Sequence, residues 1–166
     1  MSTKDYSSKQ EKMIADYLGW SVVSGSGAAA CYPGDIISDE WLGECKTHMT
    51  TNCKIVFKKS HWKKICDEST VKRRFPVLFT DDGSQKSSRT WCLFKCIHLD
   101  RSRSSFLDLP DYNSKVNLTF IHNDLEDRLK FDEDEFGHDK YTVLRIRWNN
   151  EYLALCPLHT FRNIFQ

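Results

Sequence analysis

The chain has 166 residues, a net charge of +1 and 40% apolar residues, enough for one core of ordinary size but not for two. No run of about 18 apolar residues occurs, which argues against a membrane-spanning helix. The opening "MSTKDYSSKQEK" is polar and lacks the apolar stretch of an export signal. An odd count of seven cysteines, Cys31, Cys45, Cys53, Cys66, Cys92, Cys96 and Cys156, fits free thiols in a reducing compartment: a cytoplasmic location is expected, of a cell or of a virus-infected host, and not secretion.

In chain order, Ser8-Lys9-Gln10-Glu11 fits a capping box ahead of Met13, Ile14, Tyr17 and Leu18. A helix is therefore expected over residues 9–18, stopped by Gly19. "WSVV" (residues 20–23) reads as a short strand and "SGSGAAA" as a small-residue loop. "DIIS" and "WLGECKTH" read as two strands joined around Ser38, Asp39 and Glu40. Over residues 58–72, Trp62, Ile65, Cys66 and Ser69 recur at helical spacing with lysines opposite. "FPVLFT" is a buried strand, "DDGSQKSSR" a polar loop and "TWCLFKCIHL" a further strand.

Within that last run Cys92 and Cys96 are four residues apart. A structural zinc site normally shows two close ligand pairs, and no second pair matches, so zinc is not expected. Residues 100–139 open polar ("DRSRSS") and offer one legible strand, around "VNLTF". "KYTVLRIRW", the turn "NNE" and "YLALCPL" predict a hairpin, and "LHTFRNIF" a closing helix. There is no internal repeat. The order predicts an α/β fold in a single domain over 1–166, a sheet flanked by helices, with 7–99 and 140–166 as its core and 100–139 as an elaboration.

Charge is unevenly spread. Residues 54–74 hold eight basic side chains (Lys54, Lys58, Lys59, Lys63, Lys64, Lys72, Arg73 and Arg74) against two acids; residues 124–135 hold seven acids against Arg128 and Lys130. A basic stretch is either a solvated helix face or a surface that meets phosphate.

The chemistry is concentrated in "YPGDIISDEWLGECKT". Side chains alternate along a strand, so Glu44 and Lys46 share one face and Cys45 turns to the core. If the preceding strand pairs antiparallel, Asp35 comes beside Glu44. Two such carboxylates resist joint ionisation, and a hard divalent cation such as Mg²⁺ resolves the conflict. The main-chain carbonyl of Cys45 could add a ligand. Lys46 could position or help deprotonate a water, or hold charge on a phosphate, which makes an apparatus for phosphodiester hydrolysis. The spacing D-x(8)-E-x-K is degenerate, however, and an exposed hairpin with a Glu–Lys pair would show it too.

Helix, "SGSGA", "PGD", "GECK" and "KKSHWKKICDE…RRFPVLFT" in this order resemble the PD-(D/E)xK nuclease superfamily, which has the restriction-endonuclease-like fold, a mixed central sheet flanked by helices. Within it the likeness is greatest to Holliday-junction resolvases of the archaeal and phage type. It covers residues 7–80, and the final strand and helix also fit. Two departures are the proline, displaced to Pro33 with Gly34 before Asp35, and residues 100–139, which match no part of that pattern and leave substrate preference open. The resemblance implies a metal site of Asp35, Glu44 and the Cys45 carbonyl, completed by Glu11 directly or through water, and a Lys46 that acts on the attacking water or the transition state. It implies Mg²⁺, replaceable by Mn²⁺, as cofactor. Ser24 and Ser26 would lie near the scissile phosphate. Lys54, Lys58, Lys59, Lys63, Lys64, Arg73 and Arg74 would contact DNA, and the partners would be branched or four-way DNA and a second copy of the chain.

For several of these the plainer alternative stays open. Glu11 is already explained by the capping box, and the serines by a flexible loop. His48 reads as a strand-end histidine, His61 and His98 carry less signal, and Trp41 and Trp62 belong to the core, with Trp20 and Trp148 uninformative. No helix-turn-helix or zinc-finger pattern is present, which favours recognition of DNA shape over sequence. Two other classes remain: a sequence-specific restriction or homing endonuclease of the same fold, with 100–139 reading bases, and a non-catalytic DNA-binding module.

Overall fold

The computed structural model describes residues 3–24, 33–112, 115–136 and 140–166. In chain order it has helix α1 (Thr3–Leu18), strands β1 (Ser21–Val22), β2 (Ile36–Ile37), β3 (Trp41–Lys46) and β4 (Ile55–Phe57), helix α2 (Lys59–Lys72), and strands β5 (Phe75–Thr80), β6 (Trp91–Lys95), β7 (Ser104–Asp108) and β8 (Leu118–Phe120). Helix α3 (His122–Phe136), the hairpin β9 (Tyr141–Trp148) and β10 (Glu151–Pro157), and helix α4 (Leu158–Phe165) follow. Among the described residues no helix is long and apolar enough to cross a membrane.

Eight strands form one mixed sheet in the order β1-β2-β3-β5-β6-β10-β9-β7, while β4 and β8 pair separately. The pairs β3–β5 and β7–β9 are parallel, and the other neighbours in the large sheet are antiparallel. The protein is thus mixed α/β, with helices on both faces of the sheet. On one face Ile14, Ala15 and Leu18 of α1 and Leu158 and Phe161 of α4 pack on Cys45, Val77, Phe79 and Phe94. On the other, Trp62 and Ile65 of α2 join Ile55, Phe57, Leu118 and Leu125 over Leu42, Leu78 and Leu93. Alternation along β3 produces this division: Leu42 points one way and Cys45 the other.

The hairpin turns on Asn149 and Asn150, both left-handed with φ of 52° and 62°, the conformation that a two-residue turn between twisted strands demands. The buried roles expected of Trp41 and Trp62 hold, as does that of "FPVLFT" apart from its first residue, Phe75, which is exposed. Cys92 is wholly buried against Cys156, and burial raises both its thiol and that of Cys45 well above the ordinary range. These are core thiols.

Several expectations need correction. Helix α1 starts at Thr3, so Ser8 and Glu11 lie in its interior and form no capping box. The additional turns are held by tertiary contacts: the Tyr6 hydroxyl donates to the Gly83 carbonyl, and the Gln85 side-chain amide donates to the Tyr6 carbonyl. The "DDGSQKSSR" loop is polar, yet its first half is buried: Asp81, Asp82 and Gln85 are all inside, while Lys86 and Ser88 are exposed. Asp81 accepts from the Thr47 hydroxyl (2.5 Å) and from the amides of Gly83 and Gln85 (2.9 and 3.1 Å), which satisfies the buried carboxylate.

The described parts of residues 100–139 are built into the same core. They supply edge strand β7, strand β8 and α3, and Leu109, Leu118 and Leu125 are buried in the α2-side cluster. Asn117 also reaches the first turn of α2, where its Oδ1 accepts from the Lys59 amide at 3.2 Å. It thereby satisfies a backbone donor that the helix itself cannot pair.

Candidate functional site

The site lies where β3 ends, between α1 and α2. Strand β2 pairs antiparallel with β3, Ile36 opposite Gly43, so the next residue back, Asp35, falls beside Glu44. Two main-chain contacts fix it: the Asp35 amide donates to the Gly43 carbonyl at 2.8 Å, and the Cys45 amide donates to Asp35 Oδ2 at 2.8 Å. The two glycines of "PGD" and "GECK" are required by space. Gly34 has φ +73°, and a Cβ there would stand 2.7 Å from Leu42 Cδ1; a Cβ on Gly43 would stand 2.7 Å from the Phe79 ring and 2.8 Å from Ile36. Both positions let the backbone approach closely enough to bring the two acids together.

Glu44 and Lys46 project on the α2 face. Lys46 Nζ lies 2.6 Å from Glu44 Oε1 and 3.8 Å from Asp35 Oδ2, and Lys64 Nζ, from α2, lies 2.6 Å from Glu44 Oε2. The Glu44 side chain is 2% exposed. Burial alone would raise its proton affinity, but the charge and hydrogen bond of Lys46, joined by Lys64, hold its carboxyl below the ordinary range. Asp35 goes the other way: burial, then the Glu44 charge, raises it, against the opposing Lys46 and the Cys45 amide. The two carboxylates are therefore pushed apart in proton affinity, as expected of like charges in one buried site. Burial would lower Lys46, but Asp35 and Glu44 outweigh it and keep it an ammonium.

Glu11 completes the cluster from α1. It is buried, and its carboxyl is raised first by burial and then by the Asp35 charge, with Lys46 opposing. Its neighbour Gln10, fully buried, donates from Nε2 to the Lys46 carbonyl at 2.9 Å, which fastens α1 to the end of β3. A cavity of about 500 Å³ opens here, lined by Tyr6, Ser7, Ser8, Glu11, Asp35 and Lys46 among others.

Helix α2 contributes more than a basic face. Lys64, expected only as a DNA contact, is bound to Glu44, and lies 3.6 Å from Glu68 Oε1; Glu68 Oε2 in turn accepts from the Gly34 amide at 2.8 Å. His61, of little weight in the sequence, sits beside the same cluster, its imidazole lowered by burial and then by Lys46. Gln10 and Glu68 carry no sequence signal that sets them apart. The i, i+4 spacing of Lys64 and Glu68 marks them as helix neighbours, but nothing in the pattern says that both turn towards Asp35.

The remaining basic residues are divided. Lys54, Lys58, Lys59 and Lys63 are exposed, Lys63 beside Asp67 at 2.5 Å. Arg73 and Arg74 lie past the far end of α2: Arg73 is left-handed and ends the helix, and Arg74 Nε donates to the Ser38 carbonyl at 2.7 Å. That places them at the start of β3 and β5, at the opposite end of the sheet from Lys46. Ser24 is exposed just beyond β1, whose following amide, that of Val23, donates to the Asp35 carbonyl at 2.9 Å. Ser26 lies outside the described residues. His48 is half-buried past the strand end, and His98 stacks on Phe75 at 4.1 Å, remote from the acids.

The donor set is of the kind a hard divalent cation takes: two buried carboxylates, Asp35 and Glu44, already share one cation, the Lys46 ammonium, at 3.8 and 2.6 Å. Among the described residues no three His, Cys, Asp or Glu side chains converge on one point. An ion here would rest on Asp35, Glu44, the Cys45 carbonyl and its own waters, a set that suits Mg²⁺.

No family model, curated protein or solved structure matches the chain.

Proposed function

We propose that the chain is a divalent-metal-dependent endodeoxyribonuclease of the PD-(D/E)xK type, with a restriction-endonuclease-like fold, which cuts branched or four-way DNA as a homodimer. The observation that carries the proposal is the seating of the Lys46 ammonium between the buried carboxylates Asp35 and Glu44, beside a cavity that Glu11 also lines. A cluster of buried acids costs stability unless it is compensated, and a module that only binds DNA gains nothing from keeping one.

Asp35, Glu44 and the Cys45 carbonyl would hold the ion. When bound, Mg²⁺ or Mn²⁺ would polarise the phosphate and lower the pKa of a water. Lys46, as an ammonium, donates N–H to the attacking water or to the phosphate oxygens where negative charge grows. Glu11, which lines the same cavity as Asp35 and Lys46, would complete the acidic site directly or through a water. Lys58, Lys59 and Lys63, exposed at the same end of α2, would supply sequence-independent attraction to phosphates, and Ser24, next to the Val23 amide that binds the Asp35 carbonyl, would meet the cut strand. The described exposed residues of α3 carry both signs, Asp124 and Asp127 beside Arg128 and Lys130, and so offer no basic surface of their own for reading bases. One chain carries one such site, and paired cuts in a four-way junction need two related by a twofold axis, which a C₂ dimer provides.

The test is cleavage of a four-way junction against linear duplex of random sequence, with Mg²⁺, with Mn²⁺ and in chelator. Paired symmetric nicks near the branch are expected, with none in chelator and none from Asp35→Ala or Glu44→Ala. Cleavage by either variant at the wild-type rate would remove the acids from the mechanism. Equal cutting of linear duplex by a monomer would shift the assignment to a general or sequence-specific nuclease.

A further inference from the structure

Glu44 has both carboxylate oxygens occupied, Oε1 by Lys46 and Oε2 by Lys64, each at 2.6 Å. An ion that binds this carboxylate must either share it with two ammonium groups, whose like charge opposes it, or displace one of them. The two lysines are not equivalent. Lys46 stands two residues along the same strand, touches Asp35 as well, and is 35% exposed. Lys64 comes from a different element and feels Asp35 through its charge. It is 47% exposed, with Glu68 at 3.6 Å as a second partner. A lysine is a strongly hydrated point charge on a flexible stem, so Lys64 can withdraw towards Glu68 and solvent without disturbing β3.

We propose that Lys64 is a displaceable counter-ion: it neutralises Glu44 while no divalent ion is present and competes with that ion for Oε2. This rests on the nuclease assignment above. It has a consequence for binding order. Once the ion has taken Glu44, the Lys64 ammonium is released beside Lys58, Lys59 and Lys63 on the face proposed to meet phosphate. Conversely, DNA that engages Lys64 draws it off Glu44. Ion and DNA then favour one another's binding, and the coupling must be equal in the two directions.

The experiment is calorimetric titration of Mn²⁺ into the full chain without DNA, for wild type, Lys64→Met, Lys64→Arg, Lys72→Met and Asp35→Asn. Lys64→Met should bind Mn²⁺ more tightly than wild type, by up to about fivefold, since the ion no longer has to break a half-exposed ion pair. Lys64→Arg keeps the charge and should bind no more tightly than wild type, and Lys72→Met, exposed at the far end of α2, should be unchanged. A second titration with uncleaved DNA and Ca²⁺ should show DNA strengthening Ca²⁺ binding in wild type and strengthening it less in Lys64→Met. Should Lys64→Met fail to fold, the Lys64→Arg titration and the wild-type coupling to DNA decide. Equal or weaker Mn²⁺ binding by Lys64→Met overturns the inference alone and leaves Lys64 as a residue that positions Glu44. Wild type that binds no Mn²⁺, or binds it no better than Asp35→Asn, overturns the metal-dependent nuclease assignment itself.

Discussion

Replacing Lys46 by methionine keeps most of the side-chain volume and deletes the ammonium shared by Asp35 and Glu44. At an effective dielectric of about 20, unit charges at these separations attract by roughly 4–6 kcal/mol each before any correction. Much of that is offset. The ammonium must give up water, it remains 35% exposed, and Lys64 still holds the other oxygen of Glu44. A net loss of about 2 kcal/mol is expected at neutral pH in chelator, less than for breaking a fully buried pair. In a chain of this size it should lower Tm by about 4–8 °C. Thermal melts of wild type and Lys46→Met, with and without Mg²⁺, measure it. The ion should restore part of the deficit, because it binds only the folded site. Cleavage should not recover: the rate should stay about 10²–10⁴-fold low, with DNA affinity nearly intact. Equal melting of the two proteins in chelator would refute the counter-ion argument. Equal losses in rate and affinity would instead make Lys46 an ordinary phosphate contact.

Gly43→Ala should destabilise the protein by about 1–3 kcal/mol in urea melts, because its Cβ would meet the buried Phe79 ring and Ile36; a neutral effect would mean that β2 and β5 can part without cost. His122 accepts from the Trp91 indole at Nδ1 (2.9 Å), and its imidazole is lowered first by burial, then by Arg89, against the opposing Glu126 and Asp82. A histidine with a lowered folded pKa contributes stability that is complete above its unfolded pKa of about 6.5 and is lost as pH falls below it. Stability should therefore decline below that pH, and decline less steeply in His122→Gln; His61 and His98, also lowered, account for the remainder. Neutralising Lys58, Lys59 and Lys63 together should weaken junction binding and reduce its log–log salt slope by roughly 0.9 for each phosphate that is no longer neutralised; an unchanged slope would place the DNA elsewhere.

Local pattern was legible wherever short-range chemistry decides the structure. Alternation placed Glu44 and Lys46 on one face of β3 with Cys45 behind them, and the pairing of that strand with the stretch before it put Asp35 alongside. The double-asparagine turn and the apolar spacing of α2 were read in the same way. What the pattern did not reveal depends on distant partners. The first turns of α1 are held by residues near 83, so the local capping signal at Ser8 pointed to the wrong start. Strand β7 is a half-buried edge with weak alternation, and the sequence of α3 is predominantly acidic, which hides its apolar contacts Leu125 and Leu129. Asp81 and Asp82 belong to a run that reads as exposed loop, and their burial is made tolerable by hydrogen bonds from Thr47 and the loop's own amides and by the Arg89 guanidinium beside Asp82. At the site, the approach of Lys64 and Glu68 depends on how α2 crosses the sheet, which helical periodicity leaves open.

The place of β10 in the sheet bears on how the chain is made. Although every other strand precedes it in sequence, it lies between β6 and β9, pairing Leu153 with Lys95 on one side and with Ile146 on the other. While the ribosome has yet to release residues 151–157, β6 and β9 each present an unpaired, largely apolar edge. Such edges readily take up strands from other chains. The nascent protein thus passes through a stage in which the half carrying the acidic cluster is synthesised but its sheet is open. Shielding of those two edges until β10 arrives would therefore favour the folded protein over association with other chains.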